Sequence, residues 1–362
     1  MRKFLFILLL FLVAGISTCI NIRVGDKKAH TDTVPETSTS GNEKKGWKDT
    51  IIDIEQSVFQ GTKNKVVFYA YDVLTLPDQP VKLRARLQQG VLLHDIPQVT
   101  VAFYQDDRLI QKATSDHEGW IEASWLPPKV GDYEFTARIV DYPQQDSSIL
   151  QHVSPVLLLV SVRTKDTPFV VIDLDHTVVD SSFFHVLLGE GKPMADSVEV
   201  TNRLARKFSI IYLTHRPDLL THLSKAWLRR YGYPRGPLFV SKVSQALGSS
   251  GQFKTASLEA LRTVFTNIQI GIGDKLSDAQ AYVDNKMTAY LIPHYDNDPE
   301  DMREMAQDIL DLRDLGRLNV VSSWQQIANA IFQGQKYPPK TFAENLKTQA
   351  KQLEVSKKRD DD

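Results

Sequence analysis

The sequence predicts two folded units in series: an all-β sandwich, then an α/β domain built on a doubly wound parallel sheet. Three observations carry this reading. Between residues 51 and 163, short runs of two-residue periodicity alternate with turn residues. From Phe169 onward, apolar β-branched runs alternate with segments of helical spacing. Across 362 residues, 42% are apolar and 24% charged, a globular balance with material for two cores.

The N-terminus has a different character. Arg2 and Lys3 precede an apolar run from Phe4 to Ile16, followed by Ser17 and Thr18, which is a secretory signal pattern. The run is short against the roughly 20 residues of a membrane span, unless Ile20 and Ile22 extend it into an uncleaved anchor. Ile16-Ser-Thr-Cys19 resembles the bacterial lipobox, which implies that Cys19 is lipidated and becomes the first residue of the mature protein. The other reading is a cysteine that happens to lie beside a cleavage site. Residues 1–19 are therefore expected to be a signal peptide, and the protein to be exported, periplasmic or tethered to a membrane by its N-terminus. Cys19 is the one cysteine, so the exported domains fold without disulfides. Residues 20–50 are polar and unpatterned, the composition of a flexible linker.

The alternating runs that follow are Lys65 to Tyr71, Val81 to Leu87, Val99 to Tyr104 and Tyr133 to Val140, separated by turns such as Gln105 to Arg108 and Lys129 to Asp132. The segment from Ala113 to Ile121, with Trp125 to Tyr133, resembles bacterial immunoglobulin-like domains. That resemblance implies a spacer or docking module over 51–163. His117, Trp120 and Trp125 are read as core or turn residues rather than a sugar-binding face, and no partner for the sandwich is legible. Thr164 to Pro168 links it to the second unit.

In that unit, strands are expected at Phe169 to Asp173, Ser209 to Leu213, Pro237 to Val240, Ile268 to Asp274, Thr288 to Ile292 and Asn319 to Val321. Helical spacing covers 196–206, with Asp196 as its cap, then 218–231, with Leu219, Leu223 and Trp227 on one face, and then 253–265. The unit is expected to span 166–335, leaving 336–362 as a solvated polar tail, with a loose helix over Thr341 to Val355, that ends in the charge run Lys357 to Asp362. Lys plus Arg is 43 and Asp plus Glu is 44, so the charge gives no reason to expect a nucleic-acid partner.

Chemistry concentrates where the strands end. Asp173 and Asp175 close the first strand, Thr214 the second and Asp274 the fourth; Asp278 follows one helical turn later, and Lys254 lies near the start of a helix. Ligands of open α/β sheets bind beyond the carboxyl ends of the strands. Carboxylates with a hydroxyl and an ammonium are the groups phosphoryl transfer requires: a hard-oxygen shell for a cation, and donors for the nonbridging oxygens.

In order and strand context, Asp173-Leu-Asp-His-Thr177, Tyr212-Leu-Thr214, Lys254 and Gly273-Asp-Lys-Leu-Ser-Asp278 resemble the four motifs of the haloacid dehalogenase-like phosphatases. Tyr212 to Pro217, Gly236-Pro-Leu238, Phe253-Lys254 and Asp278 to Tyr282 resemble, within that superfamily, the lipin and phosphatidylinositol-transfer-associated catalytic domain. The resemblance implies an Mg²⁺-dependent phosphatidate phosphatase. Asp173 would be the nucleophile that forms an aspartyl-phosphate, and Asp175 the general acid and then base. Mg²⁺ would be held by Asp173, the Asp175 carbonyl and Asp274, with Asp278 either a further ligand or a support to one, while Thr214 and Lys254 would bind the phosphoryl oxygens. His215 and Arg216, beside Thr214, would either contact substrate or brace the loop that carries it. Lipin-like members often carry Asn where this chain has Asp274. The intervals from Asp175 to Thr214 and from Thr214 to Lys254 are too short for a cap domain, so an open site is expected. Two alternatives stand beside a membrane lipid phosphate as substrate: a periplasmic acid phosphatase acting on nucleotides or other soluble monoesters, and a module that binds phosphatidate without hydrolysing it.

Overall fold

A computed structural model describes residues 66–90, 92–144, 150–181, 191–245 and 248–360. The expected signal peptide, Cys19 and the linker lie outside the described residues. The first unit contains β1 (Val66–Tyr71), β2 (Val73–Thr75), β3 (Val81–Gln89), β4 (His94–Asp95), β5 (Thr100–Gln105), β6 (Arg108–Thr114), β7 (Trp120–Trp125), β8 (Gly131–Asp141) and β9 (Val156–Val162). One sheet is centred on β3, which pairs antiparallel with β1, β4 and β7. The other runs β2-β9-β8-β5-β6 and is antiparallel except between β2 and β9. Alternation in β3 explains the packing: Val81, Leu83 and Ala85 turn into the core while Lys82 and Arg84 stay exposed. Phe68, Leu87, Phe103, Ile121, Phe135 and Leu158 fill the space between the sheets.

The second unit contains β10 (Phe169–Ile172), α1 (Ser197–Leu204), β11 (Ser209–Pro217), α2 (Thr221–Arg230), β12 (Leu238–Ser241), α3 (Ser250–Arg262), β13 (Ile268–Gly273), α4 (Leu276–Asp284), β14 (Thr288–Leu291), α5 (Pro299–Asp311), β15 (Leu318–Val320), α6 (Trp324–Gln333) and α7 (Pro339–Asp360). Six parallel strands lie in the order β12-β11-β10-β13-β14-β15. Helices cover both faces. Val170 and Ile172 of β10 meet Leu204, Trp227 and Ile327 of α1, α2 and α6 on one side. Phe169 and Val171 meet Leu258, Tyr282 and Ile309 of α3, α4 and α5 on the other. A strand buried on both faces reads as a continuous apolar run, which is why Phe169 to Ile172 shows no alternation. The order reverses between β10 and β13, and there the carboxyl ends of adjacent strands open a crevice. Tyr282 packs against β13 at Gly271, where an added Cβ would lie 2.1 Å from the ring.

Several local expectations change. Asp196 precedes α1 in a left-handed conformation (φ 63°) and makes no side-chain cap. Helix α3 begins earlier than its apolar pattern, because Ser249 caps it by accepting from the Gln252 amide. The helices α5 and α6 were not foreseen. The chain beyond Phe332 is not a solvated tail: α7 packs along α5, burying Ala343, Leu346 and Ala350 against Met302 and Ala306. The sparse apolar residues of α7 suffice because they fall on one face. None of the described helices is both long and apolar enough to cross a membrane.

Candidate active site

Strand β10 carries Asp173 to the crevice, with its amide donating to the Ile272 carbonyl of β13 at 3.0 Å. Asp173 is buried, and its Oδ1 lies 2.9 Å from the Lys254 Nζ. The same ammonium lies 2.6 Å from Asp278 Oδ2. Asp278, fully buried, comes from the first turn of α4, and Gly273 lets it approach the end of β13: a Cβ there would sit 2.9 Å from the Asp278 Cβ. Asp274 completes the group. The carboxylates of Asp173, Asp274 and Asp278 offer oxygens within 4.8 Å of one another. Opposite oxygens of an Mg²⁺ octahedron with bonds of about 2.1 Å lie about 4.2 Å apart, so small side-chain rotations bring these three into such a shell.

The electrostatics also point to a cation. Burial raises the Asp173 pKa, as do Asp278 and Asp175, while Lys254 opposes the shift. Burial pushes Asp274 up to about 8, with Asp173 and Asp278 adding to it. Burial works against the charge on Lys254, yet the neighbouring carboxylates hold it above its ordinary value. Once all three carboxylates are ionised, one ammonium leaves two negative charges unbalanced, which a divalent cation would match. Asp274 Oδ1 is also buried with no hydrogen-bond partner, and a buried oxygen of that kind is costly unless something binds it. The donor set therefore fits a hard divalent metal.

Asp175 lies apart from this cluster, in the grip of Arg216. The guanidinium Nη2 lies 2.6 Å from Asp175 Oδ1, Nε lies 3.0 Å from Oδ2, and Nη1 donates to Ser224 Oγ at 2.9 Å. Of the two roles expected for Arg216, substrate contact or bracing, the geometry shows a brace: its side chain is 2% exposed and directed at Asp175, whose side chain is 21% exposed. Thr214 was expected to close its strand, but β11 runs on to Pro217; Thr214 is buried within it, and its Oγ1 accepts from the Arg216 amide at 3.4 Å. His215, for which the same two roles were expected, turns to the Gln245 carbonyl (3.2 Å) and the Phe253 ring, and burial holds its pKa below the ordinary value.

Sequence reasoning missed two contributors. His294 follows β14, and its Nε2 donates to the His176 carbonyl at 2.7 Å. His176 itself sits in the left-handed region (φ 53°), so His294 braces a turn that carries a backbone penalty. The carboxyl-end rule that flagged Asp274 applies equally to His294 and would have found it. Ser224 had no such signal, since its role depends on α2 passing behind Arg216. Thr177 is fully buried, and its carbonyl accepts from the Trp324 indole at 2.7 Å, which ties the turn to α6.

No curated protein matches the chain significantly. Among solved structures, the Pnkp1/Rnl/Hen1 RNA repair complex is 12% identical with a TM-score of 0.32, covering 35% of this chain and 43% of that one. The chain thus spans under half the length of that relative. The I-band fragment I67-I69 from titin is 13% identical with a TM-score of 0.18, over 30% of this chain and 38% of that one. The N-terminal Ig1-2 module of the Drosophila receptor protein tyrosine phosphatase DLAR is 9% identical with a TM-score of 0.19, over 32% and 62%. A family model does match the site-bearing region: residues 170–292, about a third of the chain and spanning β10 to the end of β14, are similar to the LNS2 domain of PITM 1-3.

Proposed function

We propose that this protein is an Mg²⁺-dependent phosphomonoesterase of the haloacid dehalogenase type, acting on a lipid phosphate such as phosphatidate. The observation that carries the proposal is the buried cluster of Asp173, Lys254, Asp274 and Asp278 at the crevice, with Asp175 two residues beyond the nucleophile candidate. The LNS2 match over the same residues supports the lipin-like part of the reading.

In this reading, Asp173 Oδ attacks phosphorus and the bond from phosphorus to the substrate alcohol oxygen breaks, while Asp175 gives that oxygen its proton. Asp175 then takes a proton from water as the water oxygen attacks phosphorus. The acyl-phosphate bond breaks, and Asp173 is regenerated with release of inorganic phosphate. Lys254 and Thr214 face the nonbridging oxygens, and Arg216 fixes the direction of the Asp175 carboxyl. A bound Mg²⁺ on Asp173, Asp274, Asp278 and the Asp175 carbonyl would supply charge neutralisation for the phosphoryl group. Among the described residues, the interval from Asp175 to Thr214 adds the eight-residue α1. The shortness of that interval supports reading the crevice as open to a substrate embedded in a membrane.

The preceding β-sandwich is read as immunoglobulin-like, and the N-terminus as an export signal with Cys19 as a lipid attachment point. Together they describe a membrane-tethered enzyme. Phosphate release from phosphatidate vesicles and from nucleotides, with Mg²⁺ and with chelator, tests the proposal. Asp173→Asn is expected to abolish release with the fold retained. Faster release from nucleotides would overturn the lipid assignment. Vesicle binding without release from any monoester would make the protein a phosphatidate-binding module.

A further inference from the structure

The two units share a buried interface that reaches the end of β11 beside the active site. Strand β1 belongs to the sandwich, yet it is buried on both faces. Phe68 and Ala70 enter the sandwich core, while Val67 and Tyr69 join the core under α1, α2 and α6. The next two residues are polar and bridge to the second unit. Asp72 is buried; its Oδ1 accepts from the Leu159 amide at 2.7 Å and lies 2.6 Å from Lys225 Nζ, and its Oδ2 accepts from the Leu238 amide at 2.9 Å. Lys225 Nζ also donates to the carbonyls of Ala70 and Leu157. Arg163 with Ser209, and Arg229 with Glu134, add further contacts between the units.

Tyr71 differs from these because it ends on the segment beside the active site. Its hydroxyl donates to Asp218 Oδ2 at 2.5 Å. Asp218 is 2% exposed and lies two residues after Arg216. Its other oxygen accepts from the amides of Leu219 (3.0 Å) and Val243 (3.2 Å). On the opposite side of the same segment, Ser241 Oγ donates to the carbonyls of His215 (2.9 Å) and Arg216 (3.2 Å). The backbone that aims Arg216 at Asp175 is therefore held by Ser241 from within the sheet and by Tyr71 from the sandwich.

We propose that the β-sandwich is an integral part of the catalytic unit, and that Tyr71 is a positioning residue that fixes the segment from His215 to Asp218 at the end of β11, hence Arg216 and Asp175. This rests on the phosphatase reading of Asp175. The sandwich would be passive if its contacts only joined the two units. A covalent linker, an apolar interface and the Asp72 cluster already do that, and none of them depends on the Tyr71 hydroxyl.

Tyr71→Phe in the full chain tests the inference, because it removes the hydroxyl and keeps the ring against Trp120. With Mg²⁺ and p-nitrophenyl phosphate, kcat should fall about tenfold with KM within about twofold, since small misplacements of catalytic groups cost rate rather than binding. Amide hydrogen exchange at 214–219 should rise about tenfold while the core strands stay protected. Arg229→Gln breaks an interface ion pair away from that segment and should leave both readouts within about twofold of wild type. If Tyr71→Phe fails to fold, Asp218→Asn carries the same two readouts with the same expected direction. A kcat within twofold of wild type, or a loss that only tracks the folded fraction, overturns the proposal. If the wild-type protein releases no phosphate, the phosphatase reading fails, and exchange alone decides the tether: a rise at 214–219 supports it and no change overturns it.

Discussion

Arg216 holds Asp175 through two parallel contacts, Nη2 to Oδ1 at 2.6 Å and Nε to Oδ2 at 3.0 Å, and uses its remaining nitrogen on Ser224. Planar guanidinium against planar carboxylate fixes direction as well as distance. Arg216→Lys keeps the charge but loses the fork. We expect kcat to fall about 10- to 100-fold with KM changed far less. Steady-state kinetics on p-nitrophenyl phosphate check this, and an equal rise in KM would return Arg216 to substrate binding.

Metal and pH should be linked through Asp274. Its folded pKa is pushed up to about 8 from an ordinary 3.8, so between those values the metal-free folded state binds more protons than the unfolded chain. Stability in chelator should therefore fall as pH rises across that window. Asp274→Asn, which cannot ionise, should gain on wild type in melting temperature as pH rises. Mg²⁺ should raise the wild-type melting temperature more at pH 8 than at pH 5, because fewer protons then compete for the carboxylates. Thermal melts at the two pH values, with Mg²⁺ and with chelator, measure each arm, and a pH-independent Mg²⁺ effect would remove Asp274 from the metal set.

Packing of the last helix gives a stability prediction. Leu346 is 2% exposed against Met302 and Ala306. Leu346→Ala should cost about 2–4 kcal/mol in chemical denaturation. Phosphate release per folded molecule should be unchanged, since α7 docks on α5, away from Asp173. A cost below 1 kcal/mol would mean that the helix is not held there in solution.

Much of the architecture was legible because its signals are local. Phe169 to Ile172 shows a doubly buried strand by its unbroken apolar run, and Val81 to Leu87 a half-buried one by alternation. In the second unit, the expected carboxyl ends of the apolar strands marked Asp173, Asp175, Thr214 and Asp274. Elements whose evidence is thinner were lost. In α7 one apolar face is diluted by many charged residues, so its helical spacing was legible but its packing was not, and it read as a loose helix in a solvated tail.

What the sequence determined by itself was the inventory and its order: strands that deliver acids, a lysine on a helix, and motif spacing that resembles a phosphatase. Only the tertiary structure decided who meets whom. Lys254 stands between Asp173 and Asp278, Asp274 is left with an unpartnered oxygen, and Arg216 holds Asp175. The contact from Tyr71 to Asp218 spans 147 residues and joins the two units. Periodicity reports which face of an element is buried but carries no record of what lies opposite that face. Pairings across the sheet and between units are therefore fixed only when the cores close.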